Sequence, residues 1–486
     1  LRDTNRLLEF SISILSLLLL LESEAFMLSE IDISRIIDAG ISKKADYVEV
    51  YIEQRNTRSV SMLNSKVTRA GSAFDSGVGI RLMSGVNTVY VYSNDFDVDG
   101  LIKLASDAAD ALNTGVASQK QLLSKLVKSE PYLVNKDPML VSKSSQVDYL
   151  RQASSYALSY DPLITQTAGS LVAENRHTIV ANSKGHNKEE EQKRIRLSFS
   201  AVATSGNEKQ TGRVSPGWQK GYEAVEAYPI IEETKKCCDS AIRMVGAGYA
   251  PSGMMPVVIC NGFGGVIFHE ACGHALEATS VGIKSSCFTD KLGKQIASTC
   301  VSARDNARIK GEWGSYFSDD EGNESSDLLL IENGICKNYL VDELGSRRMR
   351  MPVTGCSRRQ DYSYAPTSRM SNTYICPGTD KKEDIIANTE NGLYCANMGG
   401  GSVDTSTGEF NFAVNEAYMI RNGKIEEPVR GATLIGKGQE VLMNIDKVSD
   451  DLELSAGICG SLSGGVPVTV GQPTIRVSQI LVGGRD

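Results

Sequence analysis

An α+β fold in three parts, with antiparallel β-rich N-terminal and central domains and a large mixed, β-rich C-terminal domain, is predicted by three features of the chain. Its 486 residues, 41% of them hydrophobic, are too many for one ordinary core. Through the first half, short period-2 segments bounded by Gly, Asn and Ser alternate with single amphipathic helical stretches. The second half is glycine-punctuated strand and turn material around one helix that carries two of the chain's four histidines. The expected divisions are an extension outside the fold, 1–26, an N-terminal α+β domain, 27–135, a central α+β domain, 136–248, and a C-terminal domain with the histidine helix, 249–486.

The extension holds an apolar run from Phe10 to Leu21 behind Arg2 and Arg6, too short to span a bilayer and followed by the acidic, imperfect cleavage outline Ser23-Glu24-Ala25. Met27 is the expected start, and an amphipathic first helix (Ile31, Ile33, Ile36, Ile37) runs from there to Gly40. Tyr47 to Gln54, Ser59 to Leu63, Val67, Gly77 to Leu82 and Thr88 to Tyr92 read as an antiparallel meander, with a helix from Asp99 to Leu112 packed on one face. A polar connection, 113–142, separates this from a helix at Gln146 to Ser159 and strands at Ser170 to Val172 and Ile195 to Ala203. The mixed-charge run from Lys184 to Arg194 is expected to be a solvated hairpin tip. A helical pattern from Tyr222 to Val245 closes the central part.

The last part opens with a buried strand, Val257 to Cys260, and the loop Asn261-Gly262-Phe263-Gly264-Gly265. The loop lacks the third glycine of G-x-G-x-x-G and has no G-K-[ST] ending, so it turns a strand into a helix rather than cradling phosphate. Net charge is −8, and no basic patch is interleaved with aromatics, so nucleic acid is not an expected direct partner. The eleven cysteines form no C-x-x-C pair, which excludes a zinc ribbon or a disulfide framework and suits a reducing, cytoplasmic compartment without a membrane span.

The helix reads Phe268-His269-Glu270-Ala271-Cys272-Gly273-His274-Ala275-Leu276-Glu277. Two neutral imidazoles are what zinc takes from a protein, and a carboxylate beside them can serve as general base. The spacing is i, i+5, not i, i+4, and on a regular helix it would set the rings about 140° apart. Both can reach one ion only if the helix widens by a π-type residue or bends, for which Gly273 is available. A third donor is needed. Glu277 lies i, i+3 from His274; Cys272 falls between the histidines, where a helix turns it away from at least one of them.

The chain resembles the TldD/PmbA family, also called modulator of DNA gyrase, on its metal-carrying side. The resemblance covers nearly everything after Met27 and rests on His269-Glu270-x-x-Gly273-His274-x-x-Glu277, Asp319-Asp320-Glu321-Gly322, Arg369-Met370-Ser371-Asn372-Thr373-Tyr374, Gly-x-Cys459-Gly and Val-Pro-Val-x-Val-Gly-Gln-Pro. It implies a zinc metallopeptidase with His269, His274 and Cys459 as ligands and Glu270 as base, iron(II) being the alternative metal. It also implies cleavage of flexible or unfolded peptides, and dimerisation with a TldE/PmbA-like paralogue lacking the metal motif, or with itself. Ser461 and Ser463-Gly464 depart from the Lys and Gly-Gln expected between Cys459-Gly460 and Val466. With Cys459 as third donor, flanked by glycines that let its backbone come close, Glu277 is left to orient a histidine. Arg369 and Asn372 are expected to tie down backbone more than to grip substrate. The competing readings are a regulatory or assembly protein with a structural metal, and a hydrolase of non-peptide amides.

Overall fold

The computed structural model describes residues 28–485 apart from 44, 113–118, 131 and 133. The expected extension, Met27 and part of the 113–142 connection lie outside them. Ser29 caps the first helix, Glu30–Ser42, by accepting from the Asp32 amide, and the helix buries Ile33, Ile36, Ile37 and Gly40. Ile31, expected on that stripe, faces solvent. The meander is built from fewer and longer strands than expected: Tyr47–Leu63, Lys66–Ser84 and Asn87–Ser93. Polar residues that suggested turns stay in strand because distant groups satisfy them. Arg55 donates to the Gln360 carbonyl, and Arg58 to the carbonyls of Met139 and Val141.

Helix Val98–Ala111 follows where expected, and after it come helix Lys143–Tyr160 and strands Ile164–Asn182 and Asn187–Ser205. Tyr47–Leu63 pairs antiparallel with Ile164–Asn182 from Glu49 opposite Asn182 to Leu63 opposite Ala168, so the first two parts share one sheet. Two cores lie on it, one around Ile36, Val50 and Leu101, the other around Leu150, Phe199 and Ala241. The helical run from Tyr222 to Val245 is two helices, Glu223–Ala227 and Ile230–Val245. Pro229 has no amide hydrogen and holds Tyr228 extended, which breaks the run.

The last part has the largest core, two large sheets and the short two-stranded pair Ser357–Arg358 and Thr367–Ser368. In one, Asn391–Val403, Gly253–Ile259, Ile475–Gly483, Thr433–Lys437 and Glu409–Arg421 pair in turn and close back on Asn391–Val403 as a barrel. The other, six-stranded sheet ends in the hairpin Gly464–Gln472 and Glu453–Ser461, with Glu453–Ser461 at its edge. No helix among the described residues is long and apolar enough to cross a membrane.

The charge run from Lys184 to Arg194 is not a solvated tip. Glu190 is buried and accepts from the amides of Phe317 (2.8 Å) and Ser318 (3.0 Å). Arg194, also buried, donates to the carbonyls of Trp313 (3.1 Å) and Ser315 (3.0 Å). These charges fasten the shared sheet to the last part of the chain. The same interface buries Arg359 completely, against the Glu49 carboxylate and 4.0 Å over the Tyr51 ring. Removing one member of such a pair strands the other charge, so Arg359→Ala is expected to cost about 3–5 kcal/mol. The urea midpoint measures it, and a loss below about 1 kcal/mol, the worth of an exposed pair, would contradict the assignment.

Candidate metal centre

Strand Gly253–Ile259 leads through Gly262, whose φ is 63°, into a tight turn and the helical segment Val266–Phe268. From His269 to Gly273 the segment takes one π turn, in which the His274 amide donates to the His269 carbonyl. The i, i+5 spacing is accommodated by this widening, as the sequence predicts. It sets the two imidazole rings 5.1 Å apart, centroid to centroid, with planes at 86°. Gly273 contributes differently from the expectation of a bend. Its backbone is ordinary helix (φ −55°, ψ −53°), but a Cβ there would fall 2.0 Å from the Met370 sulfur. Close packing, not unusual torsion, requires the glycine.

Cys459 arrives from the edge strand Glu453–Ser461, 185 residues beyond His274, and its Sγ lies 3.1 Å from His274 Nε2. One donor atom from each of His269, His274 and Cys459 falls within 4.8 Å of the others, and all three residues are buried. Ligands 2.0–2.3 Å from a tetrahedral zinc sit about 3.3–3.8 Å from one another, so the group needs only a small adjustment to hold one ion. Burial pushes the Cys459 thiol up, but His269 and His274 beside it outweigh this and hold it well below the ordinary value. The lowered pKa eases loss of the proton that a metal displaces from a thiol. For His274 burial acts downward, yet Glu277 and Cys459 raise its pKa well above the usual imidazole value. Glu277, also buried, stands 3.1 Å from His274 Nδ1, where its carboxylate can accept a hydrogen bond from Nδ1–H, and Nε2 faces the cysteine. His269 Nδ1 is buried without a hydrogen-bond partner among the described residues. Cys272 is fully buried among apolar neighbours and takes no part.

Glu270 differs from these residues. Its side chain keeps 22% of its exposure, Oε2 is 3.7 Å from His274 Nε2, and burial raises its pKa against the opposing pull of His269 and His274. It opens with His269 onto a cleft of about 540 Å³ lined also by Phe263, Trp218, Tyr228 and Ile458. Arg369 and Asn372 are wholly buried and serve backbone. Arg369 donates to the carbonyls of Cys459 and Gly464 and to Ser463 Oγ, which fixes the hairpin that delivers the cysteine. Asn372 donates to the Asn306 carbonyl and Ser315 Oγ. Ser463, one of the departures in the family pattern, is thus a buried acceptor for Arg369. Sequence reading missed Trp313, whose Nε1–H donates to the Gly457 carbonyl two residues before Cys459, and Glu312, a cleft carboxylate raised by burial; neither sits in a recognisable spacing.

A π-turn histidine pair and a distant cysteine, with a carboxylate opening on a cleft beside them, are an arrangement that a metal-dependent hydrolase could use. Models of the PmbA/TldA metallopeptidase match domain 1 at residues 48–112, the central domain at 136–245 and the C-terminal domain at 252–484. The metalloprotease TldD homologue of Buchnera aphidicola from Acyrthosiphon pisum is 33% identical over 463 residues, covering 93% of this chain and 96% of the relative. That of Haemophilus influenzae is 32% identical over 467 residues, covering 93% and 95%. The chain belongs to the PmbA/TldD metallopeptidase family. Its fold is also that of TldE from Thermococcus kodakarensis (TM-score 0.74, 17% identity, 93% and 100% covered) and of a Thermotoga maritima protein described as a candidate modulator of a DNA gyrase (TM-score 0.77, 19% identity, 93% and 100% covered).

Proposed function

We propose that this chain is a zinc metallopeptidase that hydrolyses flexible or unfolded peptides, with His269, His274 and Cys459 as ligands and Glu270 as general base. The observation that carries the reading is the position of Glu270, partly open to a cleft while the three neighbouring donors are buried. A structural site has no use for such a carboxylate, which disfavours the regulatory reading. Two imidazoles and a thiolate suit zinc better than iron(II), because the soft sulfur donor selects for it. Zinc held there would polarise a substrate carbonyl and make water more acidic.

The chain's own groups do the rest. Glu270 takes a proton from water and returns it to the leaving amine. Glu277 holds His274 in the tautomer that leaves Nε2 free as a donor, and Arg369 keeps the cysteine strand in register. The same strand, Glu453–Ser461, is a sheet edge, and its residues Leu454 to Ile458 line the cleft, so an extended peptide finds main-chain partners beside the reacting groups. Folded substrates cannot present such a segment. The eleven cysteines are all free, which supports a cytoplasmic setting, and pairing with a TldE/PmbA-like paralogue or a second copy is part of the proposal. Purified protein is expected to hold about one zinc per chain and to cut an unstructured peptide, with chelation abolishing and zinc restoring cleavage. Cleavage indifferent to chelation would refute it, and a small-amide panel cut in preference to peptides would favour the non-peptide reading.

A further inference from the structure

The cleft carries two cations that the hydrolytic chemistry does not use. Arg196 lies on strand Asn187–Ser205 and Arg213 on the neighbouring strand Glu208–Val214. Ser200 stands opposite Arg213, and Arg196 is four residues from Ser200, so both guanidinium groups leave the same face of the sheet. Both line the cleft that holds His269 and Glu270. Among the described residues neither makes an ion pair, although two carboxylates, Glu270 and Glu312, line the same space. Arg196 is half-buried and held. Its Nε–H donates to Ser215 Oγ at 3.2 Å, its Cζ lies 5.6 Å from the centroid of the Trp313 ring, and its terminal nitrogens have no partner among the described residues. Burial, and then the nearby Arg213, push its pKa below the ordinary value, as expected of two like charges without a counter-ion.

The place of this pair follows from Trp313, whose ring lies under the Arg196 guanidinium and whose Nε1–H donates to the carbonyl of Gly457, two residues before Cys459 on the edge strand. The basic pair therefore stands beside the strand that an extended peptide would follow from the metal cluster. A fixed guanidinium with free terminal N–H groups suits one ligand chemistry best, a carboxylate held by two parallel hydrogen bonds.

The geometry points to Arg196 and Arg213 as a carboxylate-binding subsite that makes acidic peptides, or peptides ending in a free carboxylate near the cut, the preferred substrates. The inference rests on the hydrolytic reading for its meaning, but not for its test. The chain's two tryptophans, Trp218 and Trp313, line the cleft or stack on Arg196, so intrinsic fluorescence reports occupancy whether or not cleavage follows.

The experiment uses the full-length, zinc-loaded protein and matched unstructured peptides: free acid against C-terminal amide, and Glu against Gln at successive internal positions. Both kcat/KM and the fluorescence-derived Kd are measured. The carboxylate form of at least one matched pair is expected to be favoured about tenfold, the worth of a charge-assisted hydrogen bond. The acid/amide pair identifies a terminal carboxylate, and the Glu/Gln pairs a side chain. In R196Q/R213Q the ratio should fall towards one; because it is a ratio, a general loss of fold or metal cannot imitate that. R196K/R213K should restore part of it. Equal handling of all pairs by the unmodified protein, or an unchanged ratio in R196Q/R213Q, overturns the subsite. Preferential binding of acidic peptides without cleavage supports the subsite and sinks the hydrolytic reading, and cleavage without preference does the reverse.

Discussion

Glu270→Gln is expected to keep its zinc and to lose about 10²–10⁴-fold in kcat on an unstructured peptide, the range that a positioned proton-transfer group contributes. His269, His274 and Cys459 are buried and mutually close, while the Glu270 carboxylate reaches the cleft and lies outside the three-donor group. Glutamine has nearly the same volume and can still accept a hydrogen bond, so packing around the π turn should survive. Only the capacity to take a proton is removed. Metal content by elemental analysis and turnover of the peptide are measured on the same preparation. Retained metal with kcat within a few-fold of the unmodified protein would show that Glu270 is not the base, whereas loss of the metal would make it a ligand.

How much of this centre could be read in advance depended on chain distance. The irregularity was legible because i, i+5 spacing brings two imidazoles together only through a π-type widening or a bend, and the structure takes the first at His269–Gly273. Glu277 was legible for the same local reason, as i, i+3 on one helix face brings it to His274 Nδ1. Cys459 was not. No local periodicity links it to the helix; a two-stranded hairpin and the buried Arg369 deliver it, and only resemblance suggested it beforehand. The fold shows the same division. Amphipathic helices such as Lys143–Tyr160 follow from pattern, but Tyr47–Leu63 looks broken in sequence because its polar residues find partners over 80 residues away. The run from Lys184 to Arg194 looked solvated because burying Glu190 and Arg194 requires partners near residues 313–318, which no window around the run contains.

Cys459→Ala and Glu277→Gln are expected to separate a ligand from the group that orients one. Among the described residues the Cys459 sulfur is the one soft donor grouped with the imidazoles, and their proximity favours its thiolate form. Two imidazoles alone form an incomplete site, so the alanine variant should lose most of its zinc and with it nearly all turnover. Glu277 touches the far nitrogen of His274, 3.1 Å from Nδ1, and contributes no atom to the three-donor group. Replacing its charge weakens the orientation of one imidazole, for which a loss of about 10–100-fold in zinc affinity or activity is the usual scale. Zinc titration against a competing chelator, with elemental analysis of both variants as purified, reads the difference directly. Circular dichroism of each apo-protein shows whether the hairpin and helix remain folded, since Arg369 still anchors the strand through backbone carbonyls when the thiol is gone. Metal retained in Cys459→Ala and lost in Glu277→Gln would exchange their roles, making the helix alone the metal site and leaving the edge strand as a wall of the cleft.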